Sequence, residues 1–365
     1  MQAWFCCVDK GGLMFRQRCL LILSVVFLAS LTTRGWTEDA KPADFVKPKA
    51  NSPDEPLAKE MSLAKTAEFL DGVSVSWTRE RKCGTCHTNY PYLMVRAALA
   101  GKGETPAGLQ EVRKFFEERV ANWDRGEKGD KPRWDAEVVS TAVTMAVHDV
   151  YSTGKLHPLT KQALDRMWTV QQENGGWKWL KCNWPPFEHD DYYGAVFAAV
   201  GVAMAPDGYA QGESAKEGLA RLKAFFQKNP SPDLHHKTWL LWAATKIDGL
   251  MTKEDQQATA KGLLALQRND GGWSLPSFAD WKGHHGEPND KTRPSDGYAT
   301  GLAVYVLRQT GMAANNDAIQ RGVKWLKTNQ RESGRWFTYS LNTDKTHYIT
   351  NAGTSFAVLA LKACE

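Results

Sequence analysis

Apolar positions recur along this chain every three to four residues, from about residue 62 to the end, which is the period of a helix with one buried face. Leu164, Met167, Trp168 and Gln171 share a face in one segment, and Val323, Trp325, Leu326 and Gln330 in another. The pattern predicts six helix pairs. First helices are expected near 62–77, 108–123, 160–172, 214–228, 254–268 and 317–330, and second helices near 88–100, 134–151, 190–205, 234–248, 296–310 and 351–363. The second helices are the more apolar, as in Tyr192 to Met204 and Gly301 to Leu307, which suits helices buried on more than one side. Twelve helices alternating outer and inner, without strand signals of comparable strength, predict an all-α fold, a closed (α/α)6 toroid.

Gln-x-x-x-Gly-x-Trp occurs three times, as Gln171 to Trp177, Gln267 to Trp273 and Gln330 to Trp336. Repetition of this kind marks an array of stacked units. Each glycine suits a helix end and tight turn, while the glutamine amide can tie down backbone groups that the indole covers. The motif is therefore expected to clamp one repeat to the next, with Trp177, Trp273 and Trp336 at turns on one rim.

The last copy is the fullest, Arg321-Gly322-x-x-Trp325-Leu326-x-x-x-Gln330-x-x-x-Gly334-x-Trp336, and it resembles the QW motif of squalene-hopene cyclases and their relatives. The resemblance to the squalene cyclase and prenyltransferase repeat superfamily covers nearly all of residues 60–365 and is strongest from 160 onward. It implies a toroid with a central cavity and, by analogy, an apolar isoprenoid ligand. Squalene-hopene cyclases enclose their substrate with two toroids, whereas this sequence predicts one. Full polycyclisation would then require a dimer or a second domain. Of the fifteen tryptophans, many are expected to seal joints between repeats, and the rest would line a cavity.

The segment Glu188-His189-Asp190-Asp191 resembles the Asp-x-Asp-Asp motif of class II terpenoid cyclases, whose middle aspartic acid protonates an alkene or epoxide. By that match Asp190 is the catalytic acid, flanked by the carboxylates of Glu188 and Asp191. Glu replaces the first Asp, and Tyr192 stands where Thr or Ser is usual. Crowded carboxylates hold one proton at neutral pH, because like charges at close range resist ionising together. The competing reading is a helix cap at Asp190, with Asp233, Asp296 and Asn351 at comparable positions in other repeats.

Cys83-Gly84-Thr85-Cys86-His87 matches the attachment pattern of a c-type haem, in which two thiols bind the macrocycle and His87 is the metal ligand. A local disulfide, or a non-haem metal at His87, remains open from the same residues. His235-His236 and His284-His285 also invite a metal, although adjacent histidines on a helix point in different directions, and each pair is expected at the surface or in partial core. Asp296-Gly297-Tyr298 resembles the start of an inner helix in protein prenyltransferase β-subunits. The zinc-binding cysteine that follows there is missing, so no zinc is expected.

Arg16 and Arg18 before the apolar run Cys19 to Leu31 predict a signal peptide over residues 1–36, with Met14 as an alternative start. Residues 37–58, rich in Pro, Lys, Asp and Glu, are expected to form a flexible leader, and residues 59–365 the toroid. The expected location is periplasmic or secreted; retention of the apolar run as an anchor, or association with a membrane surface, is the alternative. Cys6, Cys7 and Cys19 would leave with the signal, leaving Cys83, Cys86, Cys182 and Cys364. The net charge of +5 is small and interspersed, which argues against nucleic acid as a partner.

In an alternating toroid every outer-to-inner turn lies at one rim. Cys83, Cys86 and His87 are therefore expected to share a face with Glu188, Asp190, Asp191, Asp296 and the turn around His347. Two functions follow from this arrangement: a cyclase-like enzyme using acid or haem chemistry on an isoprenoid, or a non-catalytic haem redox or scaffold protein that docks a redox partner. A deep aromatic pocket reaching Asp190 favours the first, and a centre plugged by inner-helix side chains favours the second.

Overall fold

A computed structural model describes residues 44–101, 103–123, 135–283, 286–341 and 349–365. The expected signal peptide and its cysteines, the start at Met14, the His284-His285 pair and the turn around His347 lie outside the described residues. The described helices belong to the compact unit Ala43–Glu365. Among the described residues there are twelve α-helices, and the only β pairings are isolated bridges.

In chain order these are α1 (Leu63–Arg81), α2 (Asn89–Leu99), α3 (Ala107–Asn122), α4 (Asp135–Ser152), α5 (Pro158–Thr169) and α6 (Asp191–Met204). They continue as α7 (Glu213–Lys228), α8 (Leu234–Ala244), α9 (Lys253–Ala265), α10 (Gly297–Gln309), α11 (Asp317–Thr328) and α12 (Ile349–Lys362). The even-numbered helices pack in succession, α2 on α4, α4 on α6, α6 on α8, α8 on α10 and α10 on α12, and α12 returns to α2. The inner ring is thereby closed. Odd-numbered helices lie outside it, with α1, α3, α5 and α7 packed in turn. This is the (α/α)6 toroid expected from the periodicity.

The three repeated motifs are the joints. Gln171 Nε2 donates to Gly175 O and to Gly218 O of α7, at 2.8 and 3.0 Å. Gln267 does the same to Gly271 O and Ala318 O of α11, at 2.9 and 2.8 Å. Each glycine has φ near +90°, and a Cβ there would fall 2.2 Å from Arg221 O, 2.7 Å from Arg321 O and 2.3 Å from the Lys65 carbonyl carbon, for Gly175, Gly271 and Gly334 respectively. Only glycine meets both demands. The indoles of Trp177, Trp273 and Trp336 are fully buried and donate back to Met167 O, Leu263 O and Leu326 O.

Expectation placed each glutamine inside its helix. Instead α5, α9 and α11 stop at Thr169, Ala265 and Thr328, because the amide must leave the helical path to reach the next repeat.

Residues 44–58, expected as a flexible leader, run against the toroid. Glu55 accepts from Arg335 Nε at 2.6 Å and from Ser333 N at 2.8 Å, and Ala58 N donates to Gln330 O. The polar composition that suggested solvation is used for specific pairing with α11's outgoing turn. Asn351, expected as a cap, lies within α12 and donates to Thr88 Oγ1 at 3.3 Å.

The axis of the ring is filled. Trp239 of α8 meets Phe197 of α6 and Phe356 of α12, with ring centroids 5.5 and 5.4 Å apart. Tyr298 of α10 packs on Phe356 at 5.2 Å, and the hydroxyls of Tyr151 of α4 and Tyr305 of α10 lie 3.0 Å apart. Tyr193, Phe197, Trp239, Trp242, Tyr298, Tyr305 and Phe356 are at most 5% exposed. Among the described residues these rings pack on one another as a protein interior does.

Candidate functional site at the toroid rim

The amino ends of the inner helices carry the polar residues. Asp190 caps α6, its Oδ1 accepting from Tyr193 N at 2.8 Å. Asp233 caps α8 through His236 N at 2.9 Å, and Asp296 caps α10 through Ala299 N at 2.9 Å. An extended residue just before each helix places its carboxylate over the free N–H groups and the positive helix end.

His236 joins two of these caps. Its Nδ1 lies 2.8 Å from Asp233 Oδ1 and its Nε2 lies 3.2 Å from Asp190 Oδ1. Burial works against its charge, but the hydrogen bonds to Asp190 and Asp233 win and raise its pKa to about 9. Burial likewise opposes the charge of Asp190, yet the bond and charge of His236 hold it at about 2. The ring of His235 stands edge-on to that of His236, at 87°. Burial, then the neighbouring His236 charge, push His235 down to about 3. Neither histidine is at the surface: both are fully buried.

The carboxylates of Glu188, Asp190 and Asp191 do not crowd around a shared proton. Asp191 accepts from Trp179 N at 2.9 Å and pairs with Lys181 at 2.8 Å, while Glu188 Oε1 stands 3.9 Å from His87 Nε2. A cap, a first helical residue and a turn residue project in different directions, so each acid meets a different partner. Among the three caps it is Asp296 that burial drives upward, to about 7, despite the N–H groups of Ala299 and Leu275. Sequence reasoning missed His236 as the partner of Asp190, although a histidine pair in the first turn after the capping Asp233 was the available signal.

The Cys83-x-x-Cys86-His87 turn shares the expected rim with Glu188. Gly84 lies so close to Tyr90 that a Cβ would fall 2.3 Å from its ring, and Thr85 Oγ1 is 3.0 Å from His87 Nδ1. Burial, then the charges of Glu188 and Cys182, push the Cys86 thiol well up. No disulfide is formed among the described cysteines. Phe187, beside Glu188 in the chain, is buried and packed on Tyr193 and Tyr298.

Beside Asp233 a cavity of about 450 Å³ opens at the surface, lined in part by His189, Asp280, Trp281 and Lys291. It is polar and peripheral, unlike a deep aromatic pocket leading to Asp190.

No protein-family profile matches the chain. A squalene–hopene cyclase of Zymomonas mobilis is 34% identical over 105 residues, a match spanning 27% of this chain and 15% of that protein. Among solved structures a polysaccharide lyase superposes with a TM-score of 0.50 at 13% identity, over 83% of this chain and 97% of that one. The second likeness supports the toroid as a fold.

Proposed function

We propose that this chain is an exported, cyclase-like toroid acting as a non-catalytic scaffold that engages its partner at the rim. The filled axis carries this reading. An isoprenoid acted on inside the ring needs an apolar chamber of several hundred Å3, and the rings of Phe197, Trp239, Tyr298 and Phe356 occupy that space.

A c-type haem is the group that the spacing of Cys83, Cys86 and His87 suits. In the conformation described, these residues do not fit one. Glu188 Oε1, 3.9 Å from His87 Nε2, leaves no room for a macrocycle against that nitrogen. Attachment would require the 182–190 turn to move away.

Protein matured in a host that attaches c-type haem is expected to have the mass of the bare polypeptide and no Soret band after denaturation and extraction. Incubation with squalene and shorter isoprenoids is expected to return them unchanged by mass spectrometry. A cyclised or hydrated product would overturn the scaffold reading.

A second reading is suggested by the partial likeness to squalene–hopene cyclase, although the contact with His236, which holds Asp190 ionised, opposes it. There Asp190 delivers a proton at the mouth to an apolar ligand, and Asp190→Asn abolishes turnover while leaving the fold intact, since Asn still caps. Under the scaffold reading Asp190→Asn is silent in every assay of binding.

A further inference from the structure

His235 presents an unusual account of its two nitrogens. Nε2 lies 2.8 Å from Tyr298 Oη and 3.2 Å from Trp239 Nε1, whereas Nδ1 has no hydrogen-bond partner among the described residues, although the side chain is fully buried. A buried polar atom left without a partner is destabilising, since it has given up its water and gained nothing in return. Such an atom calls for an explanation in what it meets when the site is filled.

Its neighbours supply one. Donor atoms of Asp233, His235 and His236 all lie within 4.8 Å of one another. Asp233 also lines the peripheral cavity, together with His189, so the Asp233 end of the cluster borders open space. Lys291, the cation in that lining, is already paired with Asp280 at 2.7 Å.

We propose that Asp233, His235 and His236 bind one divalent first-row transition-metal ion, of the Zn2+ type, beside this cavity. Two imidazoles and a carboxylate are the donors such ions take, and three protein ligands leave a position open to the cavity. Tyr298 supplies the outer contact. With Nδ1 on the ion, the proton resides on Nε2 and is donated to Tyr298 Oη, which fixes the ring, while Trp239 has the same oxygen as a second acceptor at 3.4 Å. The Nδ1 proton that His236 holds against Asp233 leaves to solvent as the ion takes its place, and the 2.8 Å between His236 Nδ1 and Asp233 Oδ1 must open to roughly 3.3 Å, the ligand separation for bonds of about 2.0 Å at a tetrahedral angle. That is a small side-chain movement.

The absence of the prenyltransferase cysteine after Asp296 led the sequence to predict no zinc. This site belongs to α8, the preceding inner helix, and uses histidine in place of thiolate. It does not depend on the scaffold reading, since a cyclase-like toroid would hold the ion equally.

The test uses untagged, full-length protein freed of metal by a chelator. Titration with Co2+ is expected to give one equivalent with visible d–d absorption of a low-coordinate site, and Zn2+ is expected to abolish that band by displacement. His235→Gln and Asp233→Ser should each weaken Co2+ binding at least tenfold; Ser at 233 keeps an N-cap, so loss of binding there is not loss of fold. Asp280→Asn, at an exposed side chain on the same cavity, should leave binding unchanged. Wild-type protein that gives no saturable Co2+ band, or Asp233→Ser protein that binds as the wild type does, overturns the proposal.

Discussion

Ser62 and Gln330, 268 positions apart, exchange two hydrogen bonds: Ser62 N donates to Gln330 Oε1 at 2.6 Å, and Gln330 Nε2 donates to Ser62 O at 3.0 Å. The first outer helix is thus bound to the turn after the last, and the ring is closed by the motif that joins its interior repeats. Gln330 Nε2 also meets Thr66 Oγ1 at 2.8 Å, and the side chain is fully buried.

Truncating this amide leaves several buried groups unpaired at once. Gln330→Ala is expected to cost about 2–3 kcal/mol, more than Gln171→Ala at a half-buried joint. Urea unfolding of the two variants checks the order, and equal losses would show that ring closure has no special weight.

Gly334 and Gly311 separate backbone strain from collision. Their φ values are +92° and +89°, but a Cβ at 334 meets the Lys65 backbone at 2.3 Å, whereas at 311 nothing lies within 4 Å. Gly311→Ala should cost about 1–2 kcal/mol from the left-handed conformation alone. Gly334→Ala should cost clearly more, read from thermal unfolding.

Arg335 is buried and depends on Glu55 for its counter-charge, with 2.6 Å between Nε and Oε2. Removing the acid strands the guanidinium. Glu55→Ala is expected to cost about 3 kcal/mol and to make the chain around residues 44–58 sensitive to protease. Unchanged stability and cleavage would mean that this segment lies on the toroid without holding it.

Asp296 gives a pH dependence of definite sign. Its folded pKa of about 7 lies above the ordinary 3.8, so the folded protein holds the proton more tightly than the unfolded chain does. Its contribution is fully present below pH 3.8 and is lost as pH rises towards 7, with a slope of at most about 1.4 kcal/mol per pH unit. Asp296→Asn should remove that slope between pH 4 and 7. A constant offset will remain where the amide meets Leu275 N. Parallel curves for the two proteins would show that Asp296 is ionised throughout.

Much of the site was legible only as a set of positions. The shared rim of Cys86, His87, Glu188 and Asp190 followed from helix alternation, and the structure brings His87 to Glu188. The crowding of carboxylates was not realised, because side-chain direction at a cap differs from that one residue later. His236 was hidden by its neighbour, since adjacency in sequence says nothing of which ring faces Asp190.

The sequence by itself determined the twelve helices, their alternation and the joints between them. Those depend on local causes: a 3.6-residue period, capping residues, and glycines where φ must be positive. Only the tertiary structure decided that the axis is filled, that Glu55 clasps Arg335 across 280 positions, and that His236 bridges Asp190 across 46. Packing of rings and the choice of ionic partners depend on distances between remote segments and on burial. Neither quantity exists until the ring has closed.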